Sequence, residues 1–531
     1  MSRRIVRWTV AVTVSAVLFA GVGESRADVK LHSLFNDDMV LQREMPVSVW
    51  GTADAGERVT VELGGRSVAA VADAEGGWTV KLASMKAGGP FVMTVTGKNT
   101  VKLANVLVGD VWLCGGQSNM AMSVGSSMNA AEESAAADHP KIRLFRVVNR
   151  TAAEPQTRVT GRWYVCTPQT VRSFTAVGYF FGRELQRDLD VPIGLIHSNW
   201  GGTPAQTWTS WKALSADDTL RKEIVEPAQK TSAEYPRKKE EYEASLLKWR
   251  VEAEKARTEG KAPPAAPRAP YGPESPHFPS ALYNAMIHPL IPFGIKGAIW
   301  YQSESDASRA KQYQALLPVM IRCWRTGWNQ GDFPFYIVQL ANYMAVRPAP
   351  ADTGWARLRE AQTMTAMNVP HCGIACIIDL GEEKDIHPRN KQEVGRRLAL
   401  AALAETYGRK IVCSGPAFES MQVEGDRVRL KFRHVGSGLT TRTSDMPSAS
   451  NQAKEGYRFT LGDGPLQGFA VADDDRKFVW AEARIEGDSV VVRSKDVAGP
   501  VAVRYAWADN PVCNLYNKEG LPALPFRTDD W

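Results

Sequence analysis

The sequence predicts an α/β core with a parallel sheet, flanked in the chain by an N-terminal and a C-terminal β-sandwich. Three observations carry that expectation. Before about residue 104 and after about residue 410, short stretches alternate apolar and polar residues between turns, the period of half-buried strands. Between them, apolar strands alternate with helical segments, which signals βαβ units. The chain has 531 residues, too many for one ordinary domain.

Residues 1–27 read as a signal peptide. Arg3, Arg4 and Arg7 make a basic start, and Val10 to Val22 is an apolar core short for a span. Ser25-Arg26-Ala27 then puts small residues where a signal peptidase reads, so cleavage is expected after Ala27. The expected location is secreted or periplasmic, without stable membrane association after cleavage. The alternative is an uncleaved anchor. The formal net charge of +6 halves once Arg3, Arg4, Arg7, Arg26 and Glu24 are set aside. What remains is too weak to argue for nucleic acid. Seven cysteines leave at least one unpaired within the chain. Cys372 and Cys376 lack the spacing of a zinc site, and neither metal nor cofactor is expected.

The N-terminal sandwich is expected over 28–104, with Val47–Trp50, Val59–Glu62, Trp78–Lys81 and Phe91–Val95 as its clearest strands. The first part of the core spans 105–212. It holds the apolar strand Val106–Leu113, a helix over 177–189 and a strand over 193–197. Residues 213–275 interrupt it. Lys238–Arg257 is dense in Lys, Glu and Ala and reads as a charged helix or hairpin, and 261–276 is Pro-rich. A solvated insertion is the first reading and a lid over a groove the alternative. The core resumes over 276–410, with helices at 281–290, 355–367 and 391–405 and strands at 295–301, 335–340 and 374–379. The C-terminal sandwich is expected over 411–531.

Four segments place polar or Gly residues just after core strands. Gly115 and Gly116 permit a tight turn that presents Ser118, a residue able to act as a nucleophile. Asn199-Trp-Gly-Gly-Thr-Pro204 and Trp300-Tyr-Gln-Ser-Glu-Ser-Asp306 follow two further strands, and Lys384-Asp-Ile-His-Pro388 precedes a helix. Ester hydrolysis needs a nucleophile, a base, a group that orients the base and donors for an oxyanion. His387 can be the base. Asp385, two residues earlier, points the same way if the segment is extended. Asp379 and Glu304 are the alternative acids. The Ser118 N–H, the N–H of Gly201 or Gly202, and the Gln302 side-chain amide are candidate oxyanion donors. The other histidines, His277 among them, read as structural or solvated.

These segments, together with Leu34–Arg43, Leu358–Gln362 and Arg504–Pro511, resemble the sialate O-acetylesterase family over nearly the whole mature chain. That family is a branch of the SGNH-type serine hydrolases, with a flavodoxin-like three-layer core. The resemblance implies removal of O-acetyl groups from carbohydrates through an acetyl-serine intermediate. Ser118 matches the nucleophile, His387 the base and Asp385 the third member. Acetylated xylan, xyloglucan or pectin are alternative substrates, and a carbohydrate-binding protein with a decayed site is an alternative function. Two positions depart from the family pattern. Ser303 stands where glycine is usual, beside an expected oxyanion donor, and Asp306 stands where asparagine is frequent.

Overall fold

The computed structural model describes residues 28–442, 461–462 and 464–531. The expected signal peptide lies outside the described residues. Seven strands form the core sheet: β1 (Thr100–Gly116), β2 (His139–Arg146), β3 (Trp163–Cys166), β4 (Ile193–Asn199), β5 (Gly297–Tyr301), β6 (Phe335–Val338) and β7 (Cys372–Ala375). Their spatial order is β3-β2-β4-β1-β5-β6-β7. All neighbours are parallel except β3, which runs antiparallel to β2 at one edge, so the expected parallel sheet is mixed.

The expected domain boundary at 104/105 falls inside β1. The first half of this 17-residue strand is partly exposed and pairs antiparallel with Gly88–Thr96 in the N-terminal β region. From Leu107 onward every residue is buried, as a central parallel strand covered on both faces requires. A separate three-stranded sheet, built from Lys30–Leu31, Val47–Thr52 and Gly77–Leu82, shares a hydrophobic core with this region.

The helices that matter here are α1 (Ser118–Ala121), α2 (Ala176–Leu189), α3 (Glu226–Thr258), α4 (Ala310–Trp328), α5 (Gly354–Asn368) and α6 (Lys391–Glu405). Side chains along a strand alternate between faces, and two hydrophobic clusters record the alternation. Trp112, Cys114, Ile299, Tyr301, Tyr336 and Val338 pack with residues of α2 and α6. Val111, Leu113, Ala298, Trp300, Phe335 and Ile337 pack with residues of α4 and α5.

Two expected elements shift. Residues 281–290 form a π turn over Tyr283–Ile287 and a 3₁₀ turn over His288–Leu290, because Pro289 has no N–H to continue an α ladder. The strand expected at 374–379 begins at Cys372 and leaves the sheet after Ala375. The following turn carries Asp379 to Arg397 of α6 at 2.6 Å. The insertion contains one helix of 33 residues with only Ala228 and Ala253 buried.

The C-terminal region consists of three small sheets around a shared core that includes Val428, Val490, Phe469 and Val503. Arg359 of α5 is fully buried and joins this region to the core. Its guanidinium donates to the carbonyls of Leu340 and Ala341 on one side and of Ala508 and Asp509 on the other. All seven cysteines are free thiols. No helix among the described residues is long and apolar enough to cross a membrane.

The chain leaves β1 for β2, returns to β4 beside β1, and then crosses to β5 on the other side of β1. Such a switch opens a crevice at the carboxyl ends of the three central strands. There Gly116 lies in register with Asn199 and with Tyr301.

Candidate active site

Ser118 begins α1 immediately beyond this crevice. Gly116 has φ +144°, and a Cβ there would lie 2.0 Å from the Tyr301 carbonyl oxygen, so only glycine fits. The next amide, Gln117, donates to the same carbonyl at 3.0 Å. The serine is thereby fixed against β5.

His387 Nε2 lies 2.9 Å from Ser118 Oγ, and Nδ1 lies 3.3 Å from Asp385 Oδ1. A carboxylate only accepts, so Nδ1 carries the proton and the Nε2 lone pair faces the serine hydroxyl. Asp385 Oδ1 also accepts the His387 backbone N–H at 2.9 Å. That side-chain turn, rather than the expected extended segment, brings the two side chains together. The pair is open to solvent, with the His387 and Asp385 side chains 38% and 53% exposed.

Neither alternative acid meets the imidazole. Asp379 is held by Arg397 at 2.6 and 2.9 Å and accepts from Tyr516 at 3.0 Å. Glu304 accepts from Asn119 Nδ2 at 2.6 Å. Burial holds the Glu304 carboxyl above its usual range, against the hydrogen bond from Asn119 and the charge of Lys391.

Asn119 and Lys391 are residues that the sequence reading missed. Asn119 Nδ2 also donates to the Ile386 carbonyl at 3.0 Å, between Asp385 and His387. Its Oδ1 accepts from the buried Lys391 ammonium at 2.6 Å. One amide thus ties the serine turn to the histidine loop, to β5's exit and to α6. Burial lowers Lys391 to about 7, although Glu304 and Asp385 favour its charged form. The available signal was position: Asn119 follows Ser118 directly, and Lys391 opens α6 four residues after His387.

The glycine loop approaches from β4. A Cβ on Gly201 would lie 3.4 Å from Ser118 Cβ, so this residue borders the serine. Thr203 Oγ1 donates to the Trp200 carbonyl at 2.7 Å and accepts from Trp208 Nε1 at 3.0 Å. Pinning that carbonyl fixes the peptide whose other end is the Gly201 N–H. Gly202 instead faces His277, whose Nε2 lies 3.1 Å from its carbonyl oxygen.

Gln302 differs from expectation. Its side-chain NH₂ donates to the Thr203 carbonyl at 3.2 Å and to Asp306 Oδ2 at 2.7 Å. Both hydrogens are committed, so this amide braces the glycine loop instead of offering a free oxyanion donor. Ser303 has φ +147°, a strained value for a residue with a side chain. Its hydroxyl is buried and accepts from Gln362 Nε2 at 3.0 Å.

A serine hydroxyl, an imidazole whose lone pair faces it, a carboxylate behind the imidazole and a glycine loop beside the serine stand at the switch point of an α/β sheet. Fold and site define a carboxylic ester hydrolase. The family described as carbohydrate esterase, sialic acid-specific acetylesterase matches residues 108–247 and 275–404. The sialate O-acetylesterase of Rattus norvegicus is 32% identical over 558 residues, covering 96% of this chain and 94% of that protein. That of Homo sapiens is 30% identical over 555 residues, covering 96% and 93%. A crystal structure of a carbohydrate acetylesterase from Xanthomonas citri has TM-score 0.77 and 36% identity, covering 95% of this chain and all of that one. The chain belongs to the sialate O-acetylesterase family.

Proposed function

We propose that this protein is an exported serine esterase that removes O-acetyl groups from carbohydrates through an acetyl-serine intermediate, on an SGNH-type core. The observation that carries the reading is the 2.9 Å contact between His387 Nε2 and Ser118 Oγ, with Asp385 behind the ring. Ser118 Oγ attacks the acetyl carbonyl carbon while His387 takes its proton. Asp385 holds the ring tautomer and stabilises the imidazolium. The N–H groups of Ser118 and Gly201 receive the oxyanion. Collapse of the tetrahedral intermediate expels the sugar alkoxide, which takes the proton from His387. Water, deprotonated by His387, then attacks the acetyl-serine; the second tetrahedral intermediate expels Ser118 Oγ, which takes the proton back from His387, and acetate leaves.

The acyl part of this chemistry needs only a small carbonyl beside Gly201. The alcohol part is a sugar on the support of similar proteins, which are named a sialate O-acetylesterase and a carbohydrate acetylesterase. Export rests on the basic start, apolar core and small-residue site of residues 1–27. The test compares wild type with Ser118→Ala on p-nitrophenyl acetate and on acetylated sialic acid, xylan, xyloglucan and pectin. Wild type should release acetate from at least one saccharide and the variant from none. Equal hydrolysis by both proteins removes Ser118 from the mechanism.

A further inference from the structure

The insertion at 213–275 ends in a strap, Tyr271 to His277, that reaches the glycine loop. The strap is fastened to α3 at two points. A Cβ on Gly272 would fall 2.0 Å from Tyr235 Cδ2, so the strap backbone runs directly against that ring. Lys239 Nζ pairs with Glu274 Oε1 at 2.6 Å. Tyr271 Oη donates to the His277 carbonyl at 3.1 Å and closes the strap on itself. The insertion therefore delivers one imidazole to Gly202, the neighbour of the glycine that borders Ser118.

The hydrogen-bonding state of that imidazole follows from its partner. A backbone carbonyl only accepts, so His277 Nε2 carries the proton that it gives to Gly202 O at 3.1 Å. In the neutral ring Nδ1 is then a lone-pair acceptor. His277 is exposed, and among the described residues no hydrogen bond reaches Nδ1. An exposed acceptor held on Gly202, one residue along the loop from the glycine that borders Ser118, is complementary to a hydroxyl group. Carbohydrate esters carry hydroxyls next to the acetylated position, whereas simple aryl acetates carry none.

We propose that His277 is a specificity-determining residue that accepts a sugar hydroxyl through Nδ1 and that the insertion exists in part to position it. This rests on the carbohydrate esterase reading above. The experiment measures kcat/KM on an acetylated saccharide and on p-nitrophenyl acetate, and takes their ratio. For His277→Ala the ratio should fall roughly 3- to 10-fold, the effect of one neutral hydrogen bond. His277→Gln, which keeps a donor for Gly202 and an acceptor for the sugar, should recover most of it. Gly272→Ala, which pushes the strap from Tyr235 without touching a polar atom of the site, should lower the ratio in the same direction. A ratio unchanged in His277→Ala and in Gly272→Ala overturns the proposal. So does a parallel loss on both substrates, which would make His277 a brace for the glycine loop alone. Wild type that cleaves p-nitrophenyl acetate but no acetylated saccharide overturns the carbohydrate reading itself, and this subsite with it.

Discussion

Asp385→Asn isolates the charge of the proposed orienting acid. Asparagine keeps an oxygen for the His387 backbone N–H and for Nδ1–H, so geometry is retained and only the carboxylate charge is lost. The stake is the attraction between Asp385 and the imidazolium that forms during catalysis, at a separation of 3.3 Å. Two unit charges at that distance interact by about 1.3 kcal/mol in bulk water and by about 5 kcal/mol at an effective dielectric of about 20. With the side chains 53% and 38% exposed, the pair sits toward the watery end of that range. The expected loss in kcat/KM is therefore roughly 10- to 100-fold. A buried aspartate in this role is worth roughly 10⁴. The assay is p-nitrophenyl acetate hydrolysis by both proteins at low and high ionic strength, and the loss should shrink with salt. A loss near 10⁴ would mean that the carboxylate works desolvated. No loss would mean that Asp385 does not support the ring, with Glu304 the next acid to replace.

Two further substitutions probe the surroundings of the serine. Gly201→Ala places a methyl 3.4 Å from Ser118 Cβ, an ordinary contact that the fold accommodates. It should leave the melting temperature within a few degrees of wild type and lower kcat/KM on the order of 10²-fold, by crowding the carbonyl that Ser118 attacks. A fully active variant would move the oxyanion site elsewhere. Lys391→Met tests a buried ammonium whose pKa falls from 10.5 to about 7 by burial. The unfolded chain binds this proton up to about pH 10.5 and the folded protein only to about 7. Stability from this group therefore rises as pH climbs between those values, by up to about 5 kcal/mol. Urea midpoints measured at pH 7 and pH 9.5 should rise less with pH in the variant, and equal rises would contradict the assignment.

What the sequence disclosed and what it concealed divide by locality. Ser118 was legible because an apolar strand, two glycines and a polar triplet stand in succession. His387 and Asp385 were legible as a pair two residues apart. The route between them is not legible, since an extended segment and a side-chain turn both place such a pair together. Helix α6 was expected at its observed bounds. The 374–379 strand was not, because its end is decided by Arg397, which arrives from α6. Gln302 illustrates the harder case. An amide at a strand end can point into a site, yet Thr203 and Asp306, brought from another loop and the next turn, occupy both its hydrogens. His277 reads as structural or solvated in the sequence because its meeting with Gly202 depends on α3 folding the Pro-rich segment back. The link from Asn119 to Lys391 spans 272 residues, beyond the reach of any local pattern.

In the proposed mechanism the acetyl group passes through Ser118. Quenching the enzyme with acid during turnover of an acetylated saccharide, followed by peptide mass spectrometry, would catch it there. One added acetyl group is expected on the peptide that carries Ser118. This species should accumulate when His387 is replaced by alanine and p-nitrophenyl acetate supplies the acyl group, because deacylation then lacks its base. Acetate released at full rate with no acetyl on Ser118 in either protein would contradict it.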